Sequence, residues 1–326
     1  MISPQALLKP RGESAPAIPV VLIACAGRSG STLLDRIIGA HRGFFSAGEL
    51  RFIWERSFGE NQLCGCGTPF DECDFWADVS RSTFGVAPAE VDATTAMALR
   101  ASLDETRYAP WLIQGHSPAA YKSSLLVYSC LIERLYEQIL RISGDRVIVD
   151  SSGDATHGLI LSRVPGIELH VIHLVRDPRA VAFSWKRKRR RPEIHWAAED
   201  IPIEPVRTSA TRWMMHNLLA ERLSRSAASY RRVRYEDFVV GPEATVAELL
   251  EPLGLAGGPD ALAAGEIVLA PSHTVSGNPM RFTHGPVKIR IDDEWRRSMS
   301  LSDHRTVTAI TWPLLKKYGY AVRRSA

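Results

Sequence analysis

The sequence predicts an α/β protein built on a parallel sheet flanked by helices. Three observations lead there. Apolar runs such as Val20-Val21-Leu22-Ile23-Ala24 and Leu169-His170-Val171-Ile172-His173-Leu174-Val175 suit strands covered on both faces. Stretches of helical spacing follow them. Strand and helix then alternate along much of the chain, the pattern of a parallel sheet.

In chain order, residues 1–18 read as a flexible leader that Pro19 ends, and 19–326 as a single domain. After the first strand, Cys25-Ala26-Gly27-Arg28-Ser29-Gly30 forms a loop, and Leu33, Leu34, Ile37 and Ile38 mark a helix to about His41. Residues 50–140 fit the alternation less well. They hold Gly/Cys/Pro-rich patches and helical stretches such as Leu125–Leu140, and read as a mostly helical insertion over one end of the sheet, where open α/β sheets bind ligands. Val147-Ile148-Val149 is a short strand ending at Asp150, with a helix from about Thr156 to Arg163 that Pro165-Gly166 breaks. Leu169–Val175 is the third strand. Pro178 starts the helix that runs from Ala180 to about Arg187. Arg232–Tyr235 is a further strand and Pro242–Leu253 a further helix.

Composition narrows the function. Of 326 residues 45% are hydrophobic and 23% charged, ordinary for a globular protein long enough to fold without staples. A net charge of +4 is too small for a dedicated nucleic-acid binder and suits an anionic small ligand. Five cysteines, an odd number, argue against a disulfide scaffold. No apolar run is long enough for a membrane span, the N-terminus has no signal-peptide pattern, and a cytoplasmic protein is expected.

A glycine loop between a buried strand and a helix is an anion site, because backbone N–H groups and the helix dipole face the ligand. The loop is not a Walker A motif, since Gly30-Ser31-Thr32 lacks the lysine of Gly-Lys-Ser/Thr. Arg28 supplies the cation instead, and Ser29, Ser31 and Thr32 add hydroxyls. No acidic residue is clearly placed to hold Mg²⁺, so the loop suits a donor with less charge than a nucleoside triphosphate. Arg176 stands where a strand meets a helix and can grip a phosphate bidentately.

Gly27–Leu34 resembles the 5′-phosphosulfate loop of sulfotransferases that use 3′-phosphoadenosine-5′-phosphosulfate (PAPS), and Leu174–Ser184 resembles their 3′-phosphate motif. In that family an Arg and a Ser eight positions apart hold the 3′-phosphate, matched here by Arg176 and Ser184. The similarity is nearest to the tyrosylprotein sulfotransferase-like and bacterial carbohydrate or natural-product branches. It implies a P-loop-like sheet and PAPS as donor co-substrate, held by Arg28, Ser29, Gly30, Ser31, Thr32, Arg176 and Ser184. It implies further nucleotide contacts from Lys188, Tyr235, Ser276, Asn278 and Arg281, the last three in a nucleotide-covering loop at about 272–295. The other charges of the run Lys186–Arg191 read as a solvated face and a positive field for an anionic donor.

Sulfuryl transfer to a hydroxyl needs a group to take its proton. Glu49 lies 21 residues after Arg28, the distance of the catalytic glutamate in the tyrosylprotein branch, with His41 and Arg51 matching the same pattern. A salt bridge from Glu49 to Arg51 is the structural alternative. His116 is the second candidate base, because cytosolic relatives use a histidine. One departure stands out: Gly153 occupies the place of a family lysine, with Lys122, Lys288 and Arg281 as replacement cations. Cys64, Cys66 and Cys73 lack a fourth metal ligand at usual spacing, so a lid loop with free thiols and no metal is expected. The tryptophans are expected mostly in the core, with one or two lining an acceptor pocket.

The expectation is therefore a PAPS-dependent sulfotransferase acting on a small-molecule, carbohydrate or phenolic hydroxyl, without nucleic-acid partner or stable membrane insertion. A catalytically impaired nucleotide-binding protein is the main alternative, and a P-loop kinase a weaker one.

Overall fold

The computed structural model describes residues 15–254, 262–263 and 265–322. Most of the expected leader lies outside them. Five parallel strands form the main sheet: β1 (Ile18–Ala24), β2 (Phe44–Gly48), β3 (Val147–Gly153), β4 (Ile167–Val175) and β5 (Ser229–Arg234). Their order is β2-β3-β1-β4-β5. The central strand β1 pairs parallel with β3 from Val20 and with β4 from Ile18.

Both faces of β1 are covered, which explains its unbroken apolar run. Val21 and Ile23 pack with Leu34, Ile37, Phe238 and Val246. Val20 and Leu22 pack in a second core with Leu131, Leu135 and Ile139 of the long helix Ala119–Ser143. Trp54, Phe70 and Trp76 belong to that same core, so much of the 50–140 segment is continuous with the sheet's packing.

Several boundaries differ from the expectation; β5 begins at Ser229 and ends at Arg234, and Tyr235, expected as its last residue, opens the helix Tyr235–Val240. The first strand starts at Ile18, and Pro19 lies inside it. Ile18 N–H donates to the Gly166 carbonyl on the β4 side, so the position of the missing Pro19 N–H faces β3, whose pairing begins only at Val20. Phe44–Phe45, outside the strands read from the sequence, opens the edge strand β2, continued by Ser46, Ala47 and Gly48. Sheet pairing overrides the weak strand propensity of those small residues. A small antiparallel sheet was also not foreseen: β6 (Leu262–Ala263), β7 (Glu266–Leu269) and β8 (Gly285–Lys288).

The chain leaves β1 toward β2 on one side and β4 toward β5 on the other. In open α/β sheets ligands bind at such a switch point, outside the carboxyl ends of the strands. The loops after β1 and β4 meet there.

Candidate functional site

Both loops end in unsatisfied donors. Arg28 has φ 70°, and Gly30, at φ 96°, precedes the helix Ser31–Gly39. Side chains rarely adopt Gly30's left-handed conformation, and it turns the loop so that the helix begins without a side-chain cap. Arg28 Nε and Nη2, Ser29 Oγ and Arg176 Nε are buried without a hydrogen-bond partner. Arg176 Nη1 donates to the Arg28 carbonyl at 3.0 Å, which joins the loops. Its guanidinium lies 4.4 Å from the Tyr235 ring centre, and that of Arg28 lies 4.9 Å from Trp185's. Burial, then the charge of Arg189, lowers the pKa of Arg28. An anion between the two arginines would relieve both the desolvation and the unpaired donors.

Asp292 already reaches this site. Its Oδ2 accepts from Arg176 Nη2 at 3.1 Å. Ser184 is buried on the helix Pro178–Trp185, whose cap is the Asp177 side chain accepting from Arg179 N–H.

Glu49 follows directly on β2. The segment after His273 runs beside this strand: Val275 N–H donates to the Ala47 carbonyl at 2.9 Å, and Glu49 N–H to the Val275 carbonyl at 2.8 Å. Ser276, at φ 57°, is thereby brought to Glu49 and donates to its Oε2 at 3.3 Å. Arg56 Nη1 lies 3.4 Å from the same oxygen and also donates to Ser276 Oγ. Phe52 supports Arg56, its ring centre 4.0 Å from the guanidinium. Burial raises the Glu49 pKa, and Arg56 and Ser276 partly oppose it. Glu49 is close enough to the loop after β1 for its charge to oppose the lowering of the Arg28 pKa and to add to the raising of that of Cys25.

The salt-bridge alternative for Glu49 named the wrong partner. Arg51 bonds Asp104 at 2.6 Å and Asp154 at 3.0 Å, inside a buried network that includes His157 and Asp150. Arg56 pairs with Glu49 instead. Sequence reasoning missed Arg56; its only signal was a basic residue seven positions after the glutamate.

The other expected residues scatter. His116 is exposed, with Nδ1 2.9 Å from the Gln114 carbonyl. Lys188 is exposed and pairs with Asp200 at 3.0 Å. Its neighbours are matched too: Lys186 with Asp303, Arg187 with Glu294 and Arg191 with Glu193. Asn278 Oδ1 caps the short helical turn Pro279–Phe282 by accepting from Met280 N–H. Arg281 is fully buried and donates to the Thr274 and Leu63 carbonyls, both at 2.6 Å. Lys122 is exposed, and Lys288 lies 4.0 Å from Glu266. Gly153 has φ 76°, and a Cβ there would sit 3.3 Å from the Cys25 carbonyl, so a lysine at this position would be strained. Trp54, Trp76 and Trp213 are core residues, Trp185 flanks Arg28 and Trp196 is exposed.

A model described as the sulfotransferase family matches residues 19–259, most of the chain. The chain belongs to the sulfotransferase family. The fold agrees with solved sulfotransferase structures. The sulfotransferase domain from the curacin biosynthetic pathway aligns at 19% identity and TM-score 0.51, covering 95% of this chain and 99% of that one. The sulfotransferase domain from the Synechococcus PCC 7002 olefin synthase aligns at 18% identity and TM-score 0.53, covering 96% and 99%. No curated protein matches. Among the described residues of this sulfotransferase no helix is long and apolar enough to cross a membrane.

Cys64, Cys66 and Cys73, which lack a fourth ligand by chain spacing, gain a candidate one in three dimensions. His273, 200 residues after Cys73, brings Nδ1 to 3.2 Å from its sulfur.

Proposed function

We propose that this sulfotransferase moves a sulfuryl group from PAPS to an acceptor hydroxyl. The observation that carries the reading is the convergence of unpartnered buried donors from Arg28, Ser29 and Arg176 at the switch point of the sheet. Arg28, Ser29 and the N-terminus of the helix Ser31–Gly39 would hold the 5′-phosphosulfate, with Ser31 and Thr32 adding hydroxyls. Arg176 and Ser184 would hold the 3′-phosphate, and Tyr235 would support the Arg176 guanidinium.

Glu49 is the base in this reading. Its carboxylate takes the hydroxyl proton as the acceptor oxygen bonds to sulfur. The bond from sulfur to the bridging phosphate oxygen breaks, and adenosine 3′,5′-bisphosphate leaves with that electron pair. Arg28 faces the negative charge that develops there. Arg56 and Ser276 fix the Glu49 carboxylate. Insertion residues beside Glu49 would form the acceptor side, for a small-molecule, carbohydrate or phenolic hydroxyl.

Calorimetry with adenosine 3′,5′-bisphosphate tests the reading. The parent should bind, and Arg176→Ala should lose about 10–150-fold in affinity, the 1.5–3 kcal/mol of a charge-assisted bond. Sulfuryl transfer from labelled PAPS to an acceptor in a cell extract should proceed without added Mg²⁺. Absence of nucleotide binding overturns the proposal, and a strict Mg²⁺ requirement would favour a kinase. Nucleotide binding without transfer to any acceptor would favour the impaired protein.

A further inference from the structure

We propose that Cys64, Cys66, Cys73 and His273 bind one zinc ion that fastens the loop around residues 63–73 to the segment carrying Ser276. The four ligand atoms all lie within 4.8 Å of one another. The Cys73 sulfur is 3.7 Å from that of Cys64 and 3.8 Å from that of Cys66. His273 Nδ1 is 3.2 Å from the Cys73 sulfur and 3.9 Å from the Cys64 sulfur. Tetrahedral zinc, with Zn–S of about 2.3 Å and Zn–N of about 2.0–2.1 Å, requires S···S edges of about 3.8 Å and S···N edges of about 3.6 Å. The observed separations bracket those edges.

Each ligand is set by its own backbone. Cys64 opens a tight turn in which Gly67 N–H donates to its carbonyl and its own N–H donates to the Thr68 carbonyl, both at 2.8 Å. That turn carries Cys66 across from Cys73, the N-cap residue of the helix Asp74–Phe84. His273 comes from the far side. Trp76 Nε1 donates to its carbonyl at 2.9 Å, and Phe75 stacks on its ring at a centroid distance of 4.9 Å. Gly65 N–H donates to the Thr274 carbonyl at 2.9 Å.

The donor set selects the ion. Three thiols and an imidazole, with no carboxylate among them, favour zinc over calcium or magnesium. Four protein ligands close a tetrahedral shell, which makes the site structural and leaves no position for substrate. On binding, the thiol protons go to solvent and no electron is transferred, so loading weakens as pH falls. The site lies three residues before Ser276 in the chain, and its task is to hold that segment along β2. This inference does not depend on the sulfuryl-transfer reading.

Metal analysis of the protein, purified without added zinc and washed with dilute chelator, tests it. One zinc per chain is expected, released by an organomercurial thiol reagent. Cys66→Ser and His273→Ala should fall to background, while Cys130→Ser, outside the cluster, should keep its zinc. Should those variants fail to fold, the parent alone decides. Cobalt(II) exchanged into it should give visible bands of a tetrahedral thiolate site, and its mass under denaturing, non-reducing conditions should match five free thiols. Background zinc that added zinc does not raise, octahedral cobalt spectra, or a mass two hydrogens lower from a disulfide would each overturn the proposal.

Discussion

Burial and Arg56 pull the Glu49 carboxyl in opposite directions. Burial raises its pKa and the guanidinium lowers it, with a net rise. A base must be deprotonated, so kcat/KM should fall as pH drops through this raised value, above the ordinary glutamate pKa of about 4.3. Arg56→Ala removes the opposing charge and should move that acid limb to higher pH. A limb that stays in place in a pH–rate profile would separate Arg56 from the base. Glu49→Gln should lower kcat by about 10²–10⁴-fold with nucleotide affinity retained, while His116→Ala should keep its rate. The reverse pattern in single-turnover rates would move the base to His116. Gly153 gives a residue-scale prediction of another kind. At φ 76°, Gly153→Ala should cost about 1–2 kcal/mol, read in denaturant melts. An unchanged midpoint would mean the loop relaxes freely.

At the scale of elements, two contacts set the properties of the site. The loop after β8 places Asp292 on Arg176, where the expected phosphate would need the same guanidinium. Asp292→Asn should therefore tighten adenosine 3′,5′-bisphosphate, by up to about fivefold given the 0.2–1 kcal/mol of a partly exposed ion pair. Weaker binding in the same titration would instead make Asp292 a contributor to the site. The second contact joins the helix Ser31–Gly39 to β2. Ser46 Oγ donates to Asp35 Oδ2 at 2.9 Å, and burial, opposed by that bond and by Arg36, raises the Asp35 pKa to about 7. Unfolded, this carboxyl titrates at about 3.9. Between those values the folded chain holds a proton that the unfolded chain has released. This contribution is complete below the unfolded pKa and is lost as pH rises through about 7. Asp35→Asn should therefore flatten the decline in melting temperature from pH 5 to pH 8. Parallel profiles for the two proteins would show that Asp35 does not titrate in that window.

At the scale of the whole molecule, what the sequence revealed was local. β1, β4 and their loops were legible because an apolar run, a glycine turn and an arginine sit next to one another in the chain. Glu49 is a candidate through its distance from Arg28, which matches the resembling branch, yet its partners were not legible, since Ser276 is 227 residues away and Arg56 carried no pattern. Strand β2 was missed because Ser46, Ala47 and Gly48 become strand only by pairing with β3. The fourth ligand of the cysteine cluster escaped for the same reason: sequence spacing cannot see across two hundred residues. Arg36 shows what such long connections entail. Its buried guanidinium donates to the carbonyls of Ala270 and Arg281, each at 2.7 Å, and the latter partner is 245 residues downstream. During synthesis the ribosome delivers Arg36 more than two hundred residues before those carbonyls. Until then the arginine stays hydrated, and the edge of β2 that later receives Val275 lies open to other chains. All five strands of the main sheet, β5 ending at Arg234, are thus made before the segment carrying Val275 that covers the β2 edge beside Glu49.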